Sequence, residues 1–195
     1  MVEYSHDESG KDIDHEGDYI RDILDSFVVN NANVRVGVVV YHDTVREAIH
    51  LTDFKNNVSG LKRRVDSLTR YCDDDRRKRD GHDCRSQLEP SGEADLAKAL
   101  DHVRQNSFNH SRPGVGKLLV PILHSVHGDG TEIREAARRL KEDCVQIHAM
   151  VVKDSDSHIN ENLIKSMVST PVQSHYSRFE KFSKLEDSAE HNICH

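Results

Sequence analysis

The feature that most constrains the fold is a set of three nearly continuous apolar runs of strand length. They span Val34–Tyr41, Lys117–Leu123 and Val145–Val152. Strands that are apolar on both sides are typical of a parallel sheet covered by helices on both faces. Helix-like stripes separate the runs, so the pattern predicts βαβ units. We therefore expect an α/β fold, a doubly wound and mostly parallel sheet flanked by helices, in a single domain over residues 1–195.

Apolar residues at helical spacing predict the elements between these strands. The predicted helices lie over Tyr19–Phe27, Val58–Leu68, Asp95–Val103, Ile133–Leu140, Leu163–Val168 and Phe182–Leu185. A tight turn at His42–Asp43 should join the first apolar run to a strand over Thr44–Leu51. Cys144 directly precedes the third apolar run, and we expect it to be a buried thiol.

Composition limits the possible functions. With 35% hydrophobic and 31% charged residues, the chain is globular and long enough to bury a core. It has no apolar stretch of membrane-spanning length, and no signal peptide follows Met1. The net charge of −7 argues against nucleic-acid binding, which requires a basic face. The basic run Arg76–Arg79 follows Asp73–Asp75 and is interpreted as a self-neutralising loop.

Cysteines and glycosylation sequons favour an extracellular location. Cys72 and Cys84 bracket the charged loop. A disulfide between them would constrain a segment that cannot be stabilised by burial of apolar side chains. Asn57 and Asn109 each begin an acceptor triplet for N-glycosylation. Cys194, near the end of the sequence, could form an interchain disulfide. We therefore expect a secreted glycoprotein of which this sequence is an excised segment.

The loop Asp7–Lys11, which follows a strand-like run at the start of the sequence, contains an altered cation-binding pattern. A loop reading D-x-S-G-S would direct carboxylate and hydroxyl oxygens onto Mg²⁺ or Mn²⁺, which take oxygen ligands. Here the last position is Lys11, whose ammonium cannot ligate a metal. In open α/β sheets ligands bind beyond the carboxyl ends of the strands, which is where this loop is predicted to lie.

The order of segments resembles a von Willebrand factor A (vWA) domain of the collagen VI and matrilin type. The resemblance rests on Arg35–Tyr41, Ala97–Leu100, Lys117–Val120, Ala136–Lys141 and Val145–Met150, and it extends to Phe179–Leu185 before Cys194. It implies a Rossmann-like fold and a non-enzymatic role in cell adhesion or extracellular matrix. Many members hold a divalent ion in a metal-ion-dependent adhesion site (MIDAS), through which an acidic side chain of the partner is bound.

By this resemblance the adhesion site is degenerate. Asp7 and Ser9 match the first loop, but Lys11 stands where a serine is expected and Ala94 where a ligating threonine is expected. In the third loop His124 and Ser125 follow the strand instead of Thr-Asp-Gly. We therefore expect no bound metal or other cofactor. The predicted partner-binding edge comprises Asp7, Ser9, Lys11, Ala94, Asp95 and His124.

Two alternatives remain open at this stage. In the first, a shifted alignment recruits Asp129, and Asp7, Ser9 and Asp129 bind Mg²⁺ or Mn²⁺. In the second, imidazoles such as His6, His124 and His127 take Zn²⁺ or Cu²⁺ in a structural module of an extracellular fibre. An enzyme is not expected, because Ser9 lacks the G-x-S-x-G elbow and Gly114–Lys117 lacks the spacing of a phosphate loop. The expected partner is an extracellular matrix protein, with a collagen-like one as the specific candidate.

Overall fold

A computed structural model describes residues 1–3, 10–26, 34–54, 57–69, 94–153 and 159–186, with the backbone alone for 10–14, 25–26 and 69. The strands are β1 (Val2–Glu3), β2 (Val38–Tyr41), β3 (Val45–Ile49), β4 (Lys117–Leu119), β5 (Ile122–Leu123), β6 (Val145–Ile147), β7 (Ala149–Val152) and β8 (Tyr176–Phe179). The helices are α1 (Gly10–Ser26), α2 (Val58–Thr69), α3 (Leu96–His102), α4 (Gly130–Glu142), α5 (Glu161–Met167), α6 (Val172–His175) and α7 (Phe182–Glu186). A π-helical turn, Val103–Ser107, and a 3₁₀ turn, Phe108–His110, continue α3.

Six of the strands form one sheet in the order β3-β2-β1-β5-β7-β8. All neighbours in it are parallel except β2 and β3, which form an antiparallel hairpin through the turn at His42–Thr44. This agrees with the predicted mostly parallel sheet and with the predicted tight turn. The hairpin places the end of β3 beside the beginning of β2, because Ile49 pairs with Val38.

The predicted strands Lys117–Leu123 and Val145–Val152 are each divided in two. The break in the first falls at Val120 and Pro121, and the break in the second falls at His148. Pro121 has no N–H to donate to a ladder, which interrupts the pairing at that position. The halves before the breaks, β4 and β6, form a separate parallel pair, whereas β5 and β7 belong to the main sheet.

Helices cover both faces of the sheet, as the pattern predicts. Alternate residues of β2 enter different cores, with Val38 and Val40 on one face and Val39 and Tyr41 on the other. One core is shared with α3, α4 and α5, and the other with α1, α2 and α7. Because both faces of the central strands are buried, their sequences are apolar without alternation.

Two details differ from the sequence-based expectations. Cys144 is exposed and has a φ of 60°, so the prediction of a buried thiol is wrong. It follows the C-cap of α4, where a left-handed residue commonly ends a helix, and this turn directs the side chain outward. Strand β8 was not predicted, because Tyr176–Phe179 is short and only partly apolar.

Candidate functional site

The carboxyl ends of the parallel strands β1, β2, β5 and β7 meet at one edge of the sheet. The strands end at Glu3, Tyr41, Leu123 and Val152. Residues that follow these ends, among them His42, His124 and Ser125, therefore gather at that edge. Here we call this the carboxyl edge; it is where the sequence predicted the partner-binding residues.

A buried carboxylate occupies the centre of the carboxyl edge. Glu3, the last residue of β1, is only 1% exposed. The Ser125 backbone N–H donates to Glu3 Oε2 at 3.3 Å, and the Ser125 hydroxyl donates to Glu3 Oε1. His124 Nδ1 lies 3.7 Å from Glu3 Oε2. A buried carboxylate needs such partners, because an uncompensated charge in the interior is costly.

Asp95 reaches the carboxyl edge from the beginning of α3. A helix was predicted to begin at Asp95, and the residue is the N-cap of α3, with its Oδ1 accepting from the Lys98 backbone N–H at 3.0 Å. Its Oδ2 lies 2.9 Å from Lys98 Nζ, and its backbone N–H donates to the His42 carbonyl. Burial raises the pKa of Asp95, but the hydrogen bonds from Lys98 outweigh it and hold the pKa below its ordinary value. The carboxylate is therefore ionised and paired within its own helix.

Asp129 is likewise the N-cap of α4. Its Oδ1 accepts from the backbone N–H groups of Thr131, at 2.5 Å, and Glu132, at 3.3 Å. These hydrogen bonds lower the pKa of Asp129. The preceding Gly128 has a φ of +105°, and a Cβ added to it would lie 3.8 Å from Asp95 Oδ1. The loops that begin α3 and α4 thus meet at the carboxyl edge.

The structure describes only some of the predicted edge residues. Asp7, Ser9 and His6 lie outside the described residues, as do Cys72, Cys84 and Cys194. Lys11 is in the first turn of α1, and its side chain is not among those described. Ala94 is buried and its side chain offers no oxygen ligand, whereas Asp95 and His124 lie at the edge.

Sequence reasoning missed Glu3, Ser125 and the His42–Asp43 pair at this edge. His42 Nδ1 contacts Asp43 Oδ1, and Thr44 donates its backbone N–H to the same ring nitrogen at 3.3 Å. For Glu3 the available signal was an acidic residue in the strand-like run that opens the sequence. Within the described ranges, no three His, Cys, Asp or Glu side chains are grouped so that they could hold a metal ion.

The von Willebrand factor type A domain model matches residues 84–191, which is more than half of the chain. The chain belongs to this family. The vWA assignment agrees with the sheet order and helix layers described above. It also confirms the resemblance found in the sequence.

Solved structures show the same fold. The proximal thread matrix protein 1 of the mussel byssus aligns with a TM-score of 0.75 at 18% identity, over 98% of this chain and 46% of that one. A form of the same protein with a zinc-occupied MIDAS motif aligns equally well. The manganese-loaded TRAP protein of Plasmodium vivax aligns with a TM-score of 0.68 at 15% identity, over 100% of this chain and 72% of that one.

The vWA chain spans about half the length of the mussel protein that it resembles. No curated protein matches it by sequence. Among the described helices, none has the length and apolar character needed to cross a membrane.

Proposed function

We propose that this vWA domain is a non-enzymatic adhesion or matrix module that binds a protein partner without a bound divalent ion. One observation carries the proposal: the carboxylates of Glu3, Asp95 and Asp129 are all engaged within the protein. Glu3 is buried and accepts from Ser125, while Asp95 and Asp129 cap helices. Metal ligation by any of them would compete with these hydrogen bonds for the carboxylate oxygens.

The sequence of the three loops supports the same conclusion. Lys11 replaces a hydroxyl ligand with a cation, and Ala94 replaces another with a methyl group. Mg²⁺ requires near-octahedral oxygen coordination, so the loss of several ligands should nearly abolish its affinity. We infer that the adhesion site is degenerate and that no metal cofactor is required.

In this binding mode, the charged loops of the carboxyl edge contact the partner directly. The proposed contact residues are Asp7, Ser9, Lys11, Asp95 and His124, whereas Ala94, also predicted at this edge, is buried and is not among them. Lys11 would supply the positive charge that an ion supplies in metal-dependent domains, so an acidic side chain of the partner is its natural counterpart. A collagen-like matrix protein is the specific partner proposed. Binding through exposed charges should weaken with salt, because salt screens them.

Calorimetric titration of Mg²⁺, Mn²⁺ and Zn²⁺ into protein stripped with EDTA tests the metal independence. We expect no saturable heat from the native chain or from the Lys11→Ser variant, because the caps of α3 and α4 still hold their carboxylates. Saturable micromolar binding by the native chain would contradict the proposal. If Lys11→Ser binds metal and the native chain does not, Lys11 alone prevents metal binding at this edge.

Binding of immobilised collagen tests the partner in parallel. We expect binding that persists in EDTA and falls as salt is raised. Complete loss of binding in EDTA would support metal-dependent adhesion instead. Absence of binding in every buffer would remove collagen as the partner without bearing on the metal.

A metal-dependent mode is the second candidate. It is favoured by two structural neighbours, one with a zinc-occupied MIDAS motif and one loaded with manganese. In this chain Asp7, Ser9 and Asp129 would be the ligands, and the ion would share the Asp129 carboxylate with the cap of α4. A histidine-based site for Zn²⁺ or Cu²⁺ that includes His124 is a third candidate, which the zinc titration also addresses.

The domain extent, location, glycosylation and disulfides of the protein are proposed as follows. We propose that residues 1–195 form one domain and that the protein is secreted into the extracellular matrix. Asn57 and Asn109 are exposed, which is compatible with glycosylation at both. A disulfide between Cys72 and Cys84 and an interchain disulfide through Cys194 complete the proposal. Mass spectrometry of the secreted protein under non-reducing conditions tests all four sites.

A further inference from the structure

A pocket with mainly apolar walls lies at the amino ends of the central parallel strands. Its volume is about 350 Å³. Its walls include the first residues of β1, β2 and β5, together with the segments that precede β2 and β5, Val34–Gly37 and Leu118–Val120. We call it the amino-end pocket. It is at the opposite end of these strands from the carboxyl edge, and none of the described residues of α7 lines it.

Two helical segments form the sides of the amino-end pocket. Ile20 and Leu24 of α1 line it, and they belong to the core on one face of the sheet. Val103 and Phe108, from the helical turns that follow α3, line it from the core on the other face. The pocket therefore lies beyond the end of the sheet that separates the two cores.

The size and the apolar walls of the pocket favour an apolar ligand. Protein interiors contain few voids larger than a water molecule. A volume of 350 Å³ corresponds to roughly ten water molecules in the liquid and falls in the usual range of ligand sites, about 300–1,000 Å³. Apolar walls offer water few hydrogen bonds, and an empty apolar cavity destabilises a core in proportion to its volume. A hydrocarbon chain would fill this space without either cost.

The mouth of the pocket carries positive charge that does not depend on pH. The charged side chains that line the pocket are Arg35 and Arg112, and no Asp or Glu is among its described lining residues. Both arginines are half-buried, whereas Val2 and Ile122 inside the pocket are buried. Leu118, also in the wall, is the single large hydrophobic residue that is exposed in the described part of the chain, at 38%. Guanidinium groups stay protonated in proteins, so an anionic head group matches this mouth.

We propose that the amino-end pocket binds a single-chain fatty acid. The hydrocarbon tail lies among the apolar walls, and the carboxylate at the mouth accepts charge-assisted hydrogen bonds from Arg35 and Arg112. The pocket shares no residue with the carboxyl edge, so the proposal stands whether or not that edge binds a metal or collagen.

Calorimetric titration with laurate, below its critical micelle concentration and at neutral pH, tests the proposal. Dodecanol has the same chain length without the charge, and dodecyltrimethylammonium carries the opposite charge. We expect saturable binding of laurate at a single site, about tenfold weaker binding of dodecanol because it lacks the charge-assisted hydrogen bonds, and no saturable binding of the cation. No binding of laurate, or equal binding of all three compounds, would overturn the proposal.

Matched arginine variants separate the mouth of the pocket from the general charge of the protein. The mouth variant combines Arg35→Gln with Arg112→Gln, and the control combines Arg63→Gln with Arg134→Gln, both at exposed positions outside the pocket. We expect the mouth variant to bind laurate about tenfold more weakly and dodecanol as the native chain does. The control should bind both as the native chain does. Equal weakening of laurate binding in the two variants would contradict the proposal, because net charge alone would then attract the ligand.

A variant that fills the pocket tests the position of the tail. Val36 is half-buried and lines the pocket, and Val36→Phe adds bulk to its wall. We expect this variant to lose binding of both laurate and dodecanol. Its unfolding temperature without ligand should be no lower than that of the native chain, because filling a cavity commonly stabilises a fold. Undiminished laurate binding by Val36→Phe would place the ligand elsewhere and refute the proposed site.

Discussion

Ser125 donates both its backbone N–H and its hydroxyl to the carboxylate of Glu3, across 122 positions of sequence. The contact joins the end of β1 to the residues that follow β5, two neighbouring strands of the sheet. It therefore fixes the centre of the carboxyl edge by internal hydrogen bonds. In a metal-dependent vWA domain an ion would hold the loops of this edge together.

The Glu3–Ser125 contact should be measurable as a coupling energy. We expect Glu3→Gln and Ser125→Ala each to lower the free energy of unfolding by about 1–3 kcal/mol, because each leaves a buried polar group without its partner. The double variant should lose less than the sum, by about 0.5–3 kcal/mol. Urea denaturation measures all three. Additive losses would mean that the two side chains do not interact. As a control, Glu132→Gln at an exposed position should change the free energy of unfolding by less than about 0.5 kcal/mol.

Asp129 should be a stabilising helix cap whether or not metal is present. We expect Asp129→Ala to lower the free energy of unfolding by about 1 kcal/mol, because two backbone N–H groups of α4 lose their acceptor. Asp129→Asn keeps an acceptor oxygen and should retain most of the stability. Thermal unfolding in EDTA and in excess Mg²⁺ gives the measurement. If the loss appears only with Mg²⁺ present, Asp129 is a metal ligand.

His148 should make the fold less stable in mild acid. Burial, with a smaller contribution from the nearby His175, lowers the pKa of His148 below its ordinary value of 6.5. The unfolded chain therefore binds a proton more readily at this position. The free energy of unfolding is not reduced by His148 above pH 6.5, and it falls as the pH drops from 6.5 toward the lower pKa of the folded state. Urea denaturation as a function of pH measures this slope. His148→Gln should reduce it and His127→Gln should not.

Glu161 should contribute stability that is lost in stronger acid. Hydrogen bonds from Lys153 and Lys165 lower its pKa from 4.5 to about 2. Since the folded-state pKa is the lower one, the contribution is present above pH 4.5 and disappears as the pH falls from 4.5 to about 2. Acid unfolding followed by circular dichroism should show a shallower dependence in Glu161→Gln over that range. An unchanged profile would mean that the ammonium groups do not hold this carboxylate.

Hydrophobic pattern was sufficient to predict the architecture. Val38–Tyr41 and Ala149–Val152 are apolar at every position because both of their faces are covered, and this predicted a parallel sheet between helix layers. Asp95 could be predicted as a helix start because the capping role depends on local sequence. The break at Pro121 was missed, although a proline within an apolar run is a local signal that a ladder is interrupted.

The candidate site was less predictable, because it depends on contacts between distant segments. Glu3 carries only a weak local signal, an acidic residue in a strand-like run, and Ser125 carries none. Their contact exists only once β1 and β5 are neighbours. The exposure of Cys144 followed from the left-handed turn after α4, which an apolar neighbourhood in sequence does not indicate.

The capping roles of Asp95 and Asp129 govern how this edge can evolve. A substitution at Lys11 could restore a hydroxyl, but both carboxylates would remain on the N-termini of α3 and α4. Redirecting either one toward an ion would expose backbone N–H groups and weaken a helix that packs into the core. If the edge binds no metal, as we propose, an evolutionary path to metal binding therefore passes through a less stable intermediate, unless each helix first acquires another cap.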